Sequence, residues 1–192
     1  MRTYQYKNYN EYVEKQIFYN KKKLHWDFKN RNSIYWIVSR NLYSSYIICH
    51  GTRSGKEQQF FKEAAGPTSY VIGTEISETA TQFPMTVQHD FAIPKKEWIN
   101  KFDILYSNSF DHSYDPNKTM NTWLDQISDN GKIYIEWSET ENDSNSEMDP
   151  CAGSLKEFEI FLREYKLIFG KFLTGKNNIK YIYEITKPKL GI

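Results

Sequence analysis

Hydrophobic and polar positions follow one another in blocks that predict two short helices and then a series of buried strands. Residues 11–22 and 33–43 place aromatic and aliphatic side chains three and four positions apart, which predicts two amphipathic helices. From residue 46 onward, short apolar runs alternate with helical segments, as is typical of a parallel sheet covered by helices. We therefore expect a helical appendage over residues 1–44 and an α/β domain over residues 45–192.

Five apolar runs rich in Ile, Val, Tyr and Phe predict the first strands, and two more follow near the end of the chain. The runs span residues 46–49, 70–73, 86–88, 102–106, 132–137, 167–173 and 181–186, and helices are predicted over 56–65, after 77, near 94–100, and over 117–127 and 155–165. The last two runs are separated only by a turn around residues 175–178, which is too short for a parallel crossover. The expected fold is therefore a three-layer α/β sandwich with about seven strands, mostly parallel, ending in an antiparallel hairpin.

Composition and charge exclude several classes of protein. Hydrophobic residues make up 39% and charged residues 26% of the 192 residues, which is typical of a soluble globular chain. No apolar run approaches the roughly 20 residues of a membrane helix, and the start of the chain is polar, so we expect a cytoplasmic protein. Cys49 and Cys151 are too few for a disulfide framework or a cysteine-based zinc site.

The net charge of +1 gives no general argument for a nucleic-acid partner, which we consider unlikely. Nine basic and three acidic residues among residues 1–50 nevertheless leave an anionic substrate open. The acidic stretch 139–149 predicts a surface loop, either plainly solvated or able to close over a substrate. It lacks the spacing of a calcium-binding loop.

A glycine-bearing turn follows the first sheet strand and opens a helix. It runs from Gly51 through Thr52, Arg53 and Gly55 to Glu57. The spacing of its glycines does not match a P-loop, and the third glycine of a dinucleotide fingerprint is missing. A turn of this kind can hold a ligand at the strand ends, or it can be a structural turn without one.

Acidic residues end the next two strands. Glu75 follows the second strand, where a carboxylate can accept from both hydroxyls of a ribose. Asp90 closes the third strand and can accept from the amino group of adenine, while Phe91 covers the ring. Each acid alone could be a solvated loop residue. Together they predict an adenosine pocket. The segment 103–112 at the end of the fourth strand is then expected to face the Gly51 turn across the crevice where the strand order reverses.

These features together resemble the class I S-adenosylmethionine-dependent methyltransferases over about residues 45–187. The resemblance implies a Rossmann-like sheet and S-adenosylmethionine as cofactor. It implies that Gly51, Thr52 and Gly55 line the methionine part, that Glu75 binds the ribose next to Ile76, that Asp90 and Phe91 bind adenine, and that Ser107, Asn108 and Ser109 flank the sulfonium.

Two residues depart from the family pattern. Cys49 stands where the first motif usually has an acid, and Arg53 stands where it has a glycine. We hypothesise that Arg53 pairs with the methionine carboxylate and that Glu57 supplies the missing negative charge.

The run from Asn108 to His112 also resembles the pattern of many small-molecule methyltransferases, and it contains the candidate catalytic residues. His112 is the best-placed base for an incoming hydroxyl or amine, and Asp111 is a second candidate; a substrate contact or a structural role remains open. His50 and His89 are expected too far from one another for a three-histidine metal site, so we predict no metal.

The function that we expect is methyl transfer from S-adenosylmethionine to oxygen or nitrogen of a small molecule, such as a sugar or another metabolite. The alternatives are a catalytically silent binding or accessory protein with the same fold, and a nucleotide- or NAD-dependent enzyme. The acceptor, the choice between oxygen and nitrogen, the pathway and the oligomeric state do not follow from the sequence.

Overall fold

The computed structural model describes residues 1–26, 31–138, 142, 144–173 and 180–187. Within these residues, the α-helices are Tyr9–Lys22 (α1), Arg31–Ser39 (α2), Lys56–Ala65 (α3), Pro116–Gln126 (α4) and Leu155–Glu164 (α5). The strands are Arg2–Thr3 (β1), Tyr46–His50 (β2), Tyr70–Glu75 (β3), Thr86–Gln88 (β4), Phe102–Ser107 (β5), Ile127–Ser138 (β6), Cys151–Ala152 (β7), Ile168–Leu173 (β8) and Lys180–Thr186 (β9).

Seven of the described strands form one mixed sheet in the order β4-β3-β2-β5-β6-β9-β8. The first five strands in this order are parallel, whereas β9 pairs antiparallel with both β6 and β8. This arrangement confirms the predicted Rossmann-like sheet with a reversed C-terminal hairpin. The predicted hairpin turn at residues 175–178 lies outside the described residues.

Alternation along the strands places one apolar layer on each face of the sheet. Ile47 in β2 packs in a buried cluster with Phe61 of α3, and α2 contributes further aliphatic side chains to the same cluster. The neighbouring Ile48 belongs to the opposite cluster, together with Trp123 of α4 and Phe158 of α5. Because adjacent strand residues point to opposite faces, both sides of the sheet are covered and the domain has three layers.

The strand order reverses around β2, which has β3 on one side and β5 on the other. His50, Thr74 and Ser107 lie side by side in the register of these three strands. Ligands of open α/β sheets bind in the crevice outside the carboxyl ends at such a reversal. The glycine turn, Glu75 and the segment after β5 therefore meet at one edge of the sheet.

The structure differs from the sequence prediction in several local elements. The short helix predicted after Ser77 is a 3₁₀ helix, Glu78–Gln82, and the helix predicted near residues 94–100 is a 3₁₀ turn, Lys96–Trp98. Strand β6 begins at Ile127, ahead of the predicted strand start at residue 132. A Cβ on Gly131 would lie 2.6 Å from the carbonyl oxygen of Phe102, so a glycine lets the irregular start of β6 approach β5.

The N-terminal segment contacts the rest of the chain along its length. Strand β1 pairs antiparallel with β7, and Ile34 and Ile37 of α2 are fully buried in the core. The division into an appendage over residues 1–44 and a domain after it remains a prediction. Among the described helices, none has the length and apolar character needed to span a bilayer.

Candidate functional site

The glycine turn after β2 has an unusual backbone that brings it close to the segment after β5. Gly51 and Gly55 both have φ of 71°, and Arg53 has φ of 41°. The amides of Gly51 and Thr52 both donate to the carbonyl of Thr74, each at 3.0 Å. A Cβ on Gly51 would lie 2.6 Å from the Cβ of Ser109, so only glycine allows this approach.

The segment after β5 is tied to the glycine turn by hydroxyl groups. Ser107 Oγ donates to the carbonyl of His50 at 3.0 Å and accepts from the amide of Ser109. Ser109 Oγ donates to the carbonyl of Gly51 at 3.1 Å. Ser107 is fully buried. Neither Ser107 nor Gly55 is among the residues that line the inner and outer cavities described in the following paragraphs. Both residues instead shape the turn.

Glu75 ends β3 with its carboxylate already oriented by the backbone. Oε2 accepts from the amide of Arg53 at 3.0 Å, and Oε1 accepts from the amide of Ser77 at 3.1 Å. The residue is 7% exposed, and burial raises the pKa of its carboxyl while the two amide donors act against this rise. Each carboxylate oxygen has two acceptor positions, so both oxygens can still accept a ligand hydroxyl.

Asp90 follows β4 and is held in a similar way. Oδ1 accepts from the amide of Ala92 at 2.8 Å, and Oδ2 accepts from the hydroxyl of Tyr9 in α1 at 2.5 Å. Phe91 lies beside it and packs edge-on against Trp123. As at Glu75, half of the acceptor positions on Asp90 are available to a ligand.

Glu75 and Asp90 line one cavity at the strand ends, which we call the inner cavity. It encloses about 520 Å³, and this volume includes space that is open to solvent. Its lining comprises Tyr12, Gln16, Tyr19, Asn20, Lys23, Gly51, Arg53, Glu75, Ile76, Asp90, Phe91, Ser109 and His112. The two carboxylates that the sequence placed at successive strand ends therefore face a common space.

Helix α1 forms one wall of the inner cavity, which the sequence analysis missed. Tyr12, Gln16 and Asn20 lie four residues apart and are its buried residues. The buried stripe of an amphipathic helix is normally apolar. The sequence places Gln16 and Asn20 on one face of the helix with Tyr12, but it gives no signal that this face is buried against a cavity.

A second, outer cavity adjoins the inner one beyond Arg53, Ser109 and His112, and encloses about 1240 Å³ including open solvent. Both basic and acidic side chains line it. Its lining comprises Lys23, Trp26, Gly51, Thr52, Arg53, Ser54, Lys56, Glu57, Asn108, Ser109, Asp111, His112, Glu136, Ser138, Asn142, Met148, Asp149 and Lys180. The described part of the acidic loop therefore forms a wall of a cavity, which places Asn142, Met148 and Asp149 at the site.

The two departures from the family pattern lie next to this wall. Cys49 is fully buried; burial raises the pKa of its thiol, and the nearby carboxylate of Glu57 adds to this rise. Glu57 is 7% exposed and accepts from Asn108 Nδ2 at 3.4 Å. Burial lowers the pKa of the Arg53 guanidinium, while Glu75 and Glu57 act in the opposite direction. Glu57 thus brings a carboxylate near Cys49, and its role in replacing the family's acid remains a hypothesis.

His112 contacts both cavities, and its ring orientation is fixed by Gln16. Gln16 Nε2 donates to the carbonyl of Met148 at 3.1 Å, so its Oε1 is the atom that faces His112 Nδ1 at 2.8 Å. Because an amide oxygen can only accept, Nδ1 carries the proton and donates. In the neutral ring, Nε2 is then the acceptor, and it lies 3.4 Å from Asp149 Oδ1.

Asp111 precedes His112 and lines the outer cavity. Its Oδ2 accepts from Asn142 Nδ2 at 2.9 Å, and burial raises the pKa of its carboxyl while His112 acts against the rise. Asp111, His112 and Asp149 offer ligand atoms within 4.8 Å of one another, a grouping that could hold a cation. Lys23 interacts with both carboxylates, so a cation of the chain itself already opposes their charge. The charge of the group is therefore partly balanced within the chain itself.

The other two predicted strand-end histidines have structural contacts. His50 is buried between Thr74 Oγ1 at 2.8 Å and Gln126 Oε1 at 2.7 Å, and it stacks on Trp123. His89 Nε2 donates to the carbonyl of Ile93 at 2.8 Å.

Comparison with solved structures finds the same fold in methyltransferases. A Burkholderia thailandensis 1,6-didemethyltoxoflavin-N1-methyltransferase, solved with 1,6-didemethyltoxoflavin and S-adenosylhomocysteine, has a TM-score of 0.70 at 13% identity over 95% of this chain and 91% of its own. The plantazolicin methyltransferase BpumL, solved with a triazolic desmethylPZN analogue and S-adenosylhomocysteine, has a TM-score of 0.69 at 13% identity over 93% of this chain and 96% of its own. A methyltransferase from Aquifex aeolicus has a TM-score of 0.65 at 14% identity over 86% of this chain and 97% of its own.

No family model matches the chain, and the search among curated proteins found no match. Identities this low establish the fold alone. The chain has the class I S-adenosylmethionine-dependent methyltransferase fold, as the sequence motifs predicted.

Proposed function

We propose that this protein transfers a methyl group from S-adenosylmethionine to oxygen or nitrogen of a small polar molecule. The observation that carries the proposal is the position of Glu75 and Asp90, which end neighbouring strands and face one cavity beside the Gly51 turn. Carboxylates at the ends of two neighbouring strands suit the two groups of donors on adenosine, the ribose hydroxyls and the adenine amino group.

The residues of the inner cavity fit the nucleoside. The carboxylate of Glu75 keeps one acceptor position on each oxygen for a ribose diol, since each oxygen accepts only one backbone amide. Asp90 keeps acceptor capacity for an amino group, and Ile76 and Phe91 supply apolar surface for a purine ring. Gly51 and Ser109 both line this cavity, and the missing side chain of Gly51 lets Ser109 pack against the turn.

Arg53 and Glu57 are the candidates for the amino-acid end of the cofactor. The guanidinium of Arg53 can pair with the carboxylate in a charge-assisted hydrogen bond. Glu57 can accept from the ammonium group. In this way it would take over the function of the acid that the family has at the position of Cys49. Thr52 and Asn108 line the outer cavity, and Ser109 lines both cavities.

When bound, the cofactor supplies a methyl group on a sulfonium, which is already activated for displacement. The protein therefore has to bind and align the acceptor and, for a neutral hydroxyl or amine, to remove a proton. His112 is the proposed base. With Nδ1–H held by Gln16, the lone pair of Nε2 and the carboxylate of Asp149 lie side by side as two acceptors, and an O–H or N–H group of the acceptor can donate to them.

Asp111 is the second candidate for this proton transfer. Its carboxylate lies next to His112 and is oriented by Asn142, so in our proposal it stabilises the imidazolium that forms when the base takes the proton. The acceptor itself is expected to be small and polar, because the outer cavity is concave and is lined by both basic and acidic groups.

The alternative is a catalytically silent protein with this fold, which the loss of the family's acid at Cys49 favours. Calorimetric titration with S-adenosylmethionine, S-adenosylhomocysteine and NAD separates the possibilities. Our proposal predicts micromolar affinity for the two sulfur compounds and none for NAD. Release of S-adenosylhomocysteine on incubation with a small-molecule extract then separates an enzyme from a binder. Absence of affinity for both sulfur compounds contradicts the proposal.

A further inference from the structure

Asn20 has a buried amide with only one of its two polar atoms satisfied. It lies in the last turn of α1, is 7% exposed, and lines the inner cavity. Its Oδ1 accepts from the hydroxyl of Thr79 at 2.7 Å. Its Nδ2 is buried and has no hydrogen-bond partner among the described residues. A buried donor left without a partner is unfavourable, so such an atom calls for an explanation.

The position of Asn20 does not depend on the unmade bond. The adjacent Lys21 forms an ion pair with Glu78, and Thr79 holds the amide oxygen, so this end of α1 is fixed to the 3₁₀ turn that follows Glu75. Gln16, one turn earlier on the same buried stripe, has both amide atoms paired, with Met148 and His112. Asn20 is therefore an ordered donor whose partner is missing, on a stripe where the other amide is complete.

The inner cavity also lacks a donor for part of the proposed ligand. Glu75 and Asp90 are acceptors and can pair only with hydroxyl and amino groups. A nucleoside additionally has acceptors, namely the ring nitrogens of the base and the oxygens of the ribose. Asn20 lines the same cavity, and the unpaired hydrogens of its amide complement those acceptors.

We propose that Asn20 Nδ2 donates a hydrogen bond to the nucleoside of the bound cofactor, at an adenine ring nitrogen or a ribose oxygen. The inference rests on the proposed function, and adds to it a binding residue on α1. It makes α1 part of the nucleoside site, with Asn20 completing the set of polar contacts that Glu75 and Asp90 begin.

Two substitutions test this role through binding, independently of turnover. Asn20→Leu is similar in size and removes the unpaired donor, whereas Asn20→Asp keeps the oxygen that Thr79 contacts and replaces only the amino group. We expect both variants to bind S-adenosylhomocysteine about 10- to 100-fold more weakly in calorimetric titration. Adenosine should lose affinity by the same factor, because the contact is with the nucleoside.

A matched control is Asn41→Leu. Asn41 Nδ2 donates to Ile37 O and Tyr134 Oη, each at 2.7 Å, away from both cavities. This variant should have a lower melting temperature and unchanged affinity for S-adenosylhomocysteine, whereas Asn20→Leu should keep the melting temperature of the free protein within a few degrees.

Each outcome decides between the two claims. If the wild-type protein does not bind S-adenosylhomocysteine, the proposed function fails and this inference with it. If the wild type binds and the Asn20 variants bind equally well, only the inference is wrong. A loss for S-adenosylhomocysteine without a matching loss for adenosine also overturns it, since the contact would then lie outside the nucleoside.

Discussion

Gln16 of α1 and His112 of the segment after β5 are joined by a 2.8 Å hydrogen bond between Oε1 and Nδ1. This bond links the N-terminal helix to the candidate base, and it determines which ring nitrogen faces Asp149. The N-terminal helix therefore contributes to the proposed chemistry as well as to the wall of the inner cavity.

Replacing Gln16 by Leu removes the acceptor that holds the His112 ring. We expect kcat to fall about tenfold, the loss associated with a misoriented catalytic group, while the affinity for S-adenosylhomocysteine changes about threefold or less. Steady-state kinetics and calorimetry measure the two quantities. The exposed Gln82 supplies the control variant Gln82→Leu, which should leave both unchanged. An unchanged kcat in Gln16→Leu would contradict the positioning role.

His112→Asn removes the proposed base and should reduce kcat about 100-fold or more with little effect on cofactor affinity. Asp111→Asn keeps the shape of the side chain and should reduce kcat about tenfold, because the carboxylate only stabilises the protonated ring in our proposal. Single-turnover rates at saturating cofactor measure both effects. A larger loss in Asp111→Asn than in His112→Asn would identify Asp111 as the base.

Arg53→Gln should separate the two ends of the cofactor. We expect it to weaken S-adenosylhomocysteine binding about 10- to 30-fold, the range of one charge-assisted hydrogen bond, without changing the affinity for adenosine. Glu57→Gln should show the same selectivity for the intact compound. Calorimetric titration with both ligands gives the comparison, and equal losses for adenosine and S-adenosylhomocysteine would mean that these residues do not bind the amino-acid end.

His50 makes stability depend on pH. Burial lowers its pKa from 6.5 to about 3, while the hydrogen bond that Nε2 donates to Gln126 Oε1 acts in the opposite direction. Below pH 6.5, His50 is therefore protonated in the unfolded chain. In the folded chain it stays neutral until the pH falls to about 3. Within this window, each unit by which the pH is lowered therefore reduces the free energy of unfolding by about 1.4 kcal/mol through this residue.

Urea denaturation at pH 7.0 and 5.0 checks this prediction. His50→Gln is less stable than wild type at pH 7 because it loses packing on Trp123. Its free energy of unfolding should nevertheless fall by about 2 kcal/mol less between the two pH values. Identical pH slopes in the two proteins would show that His50 does not titrate in this window.

Removal of divalent cations should leave turnover unchanged. Lys23 opposes the charges of Asp111 and Asp149, and His112 Nδ1 is occupied by Gln16, so this cluster can act without an added cation. We expect the rate in the presence of a chelator to be within about twofold of the rate with Mg²⁺ or Mn²⁺. A rate restored by one of these ions, and insensitive to them in Asp149→Asn, would instead assign the cluster as a metal site.

The elements with clear periodicity were predictable from sequence. Helix α3 at Lys56–Ala65 and strand β4 at Thr86–Gln88 have the predicted bounds, because glycine, proline and polar clusters delimit them. The short pairing of β1 with β7 was missed, since a two-residue strand has no periodicity. The early start of β6 was not predicted, because a glycine at position 131 is compatible both with the end of a helix and with a close approach between two strands.

The same limit applies to the candidate site. Glu75 and Asp90 end strands, so sheet topology alone brings them together. Asn20 and Gln16 reach the site only through the docking of α1 across the sheet edge, which depends on contacts far apart in sequence, such as that between Tyr9 and Asp90. Pattern analysis identifies the helix, but it does not say which wall the helix forms.

The central claim is that Glu75 and Asp90 bind one adenosine group from neighbouring strand ends. A crystal structure of the protein with S-adenosylhomocysteine tests it most directly. We expect both ribose hydroxyls within hydrogen-bond distance of Glu75 and the adenine amino group within hydrogen-bond distance of Asp90. A ligand bound elsewhere, or bound with neither carboxylate in contact with the nucleoside, would contradict this account.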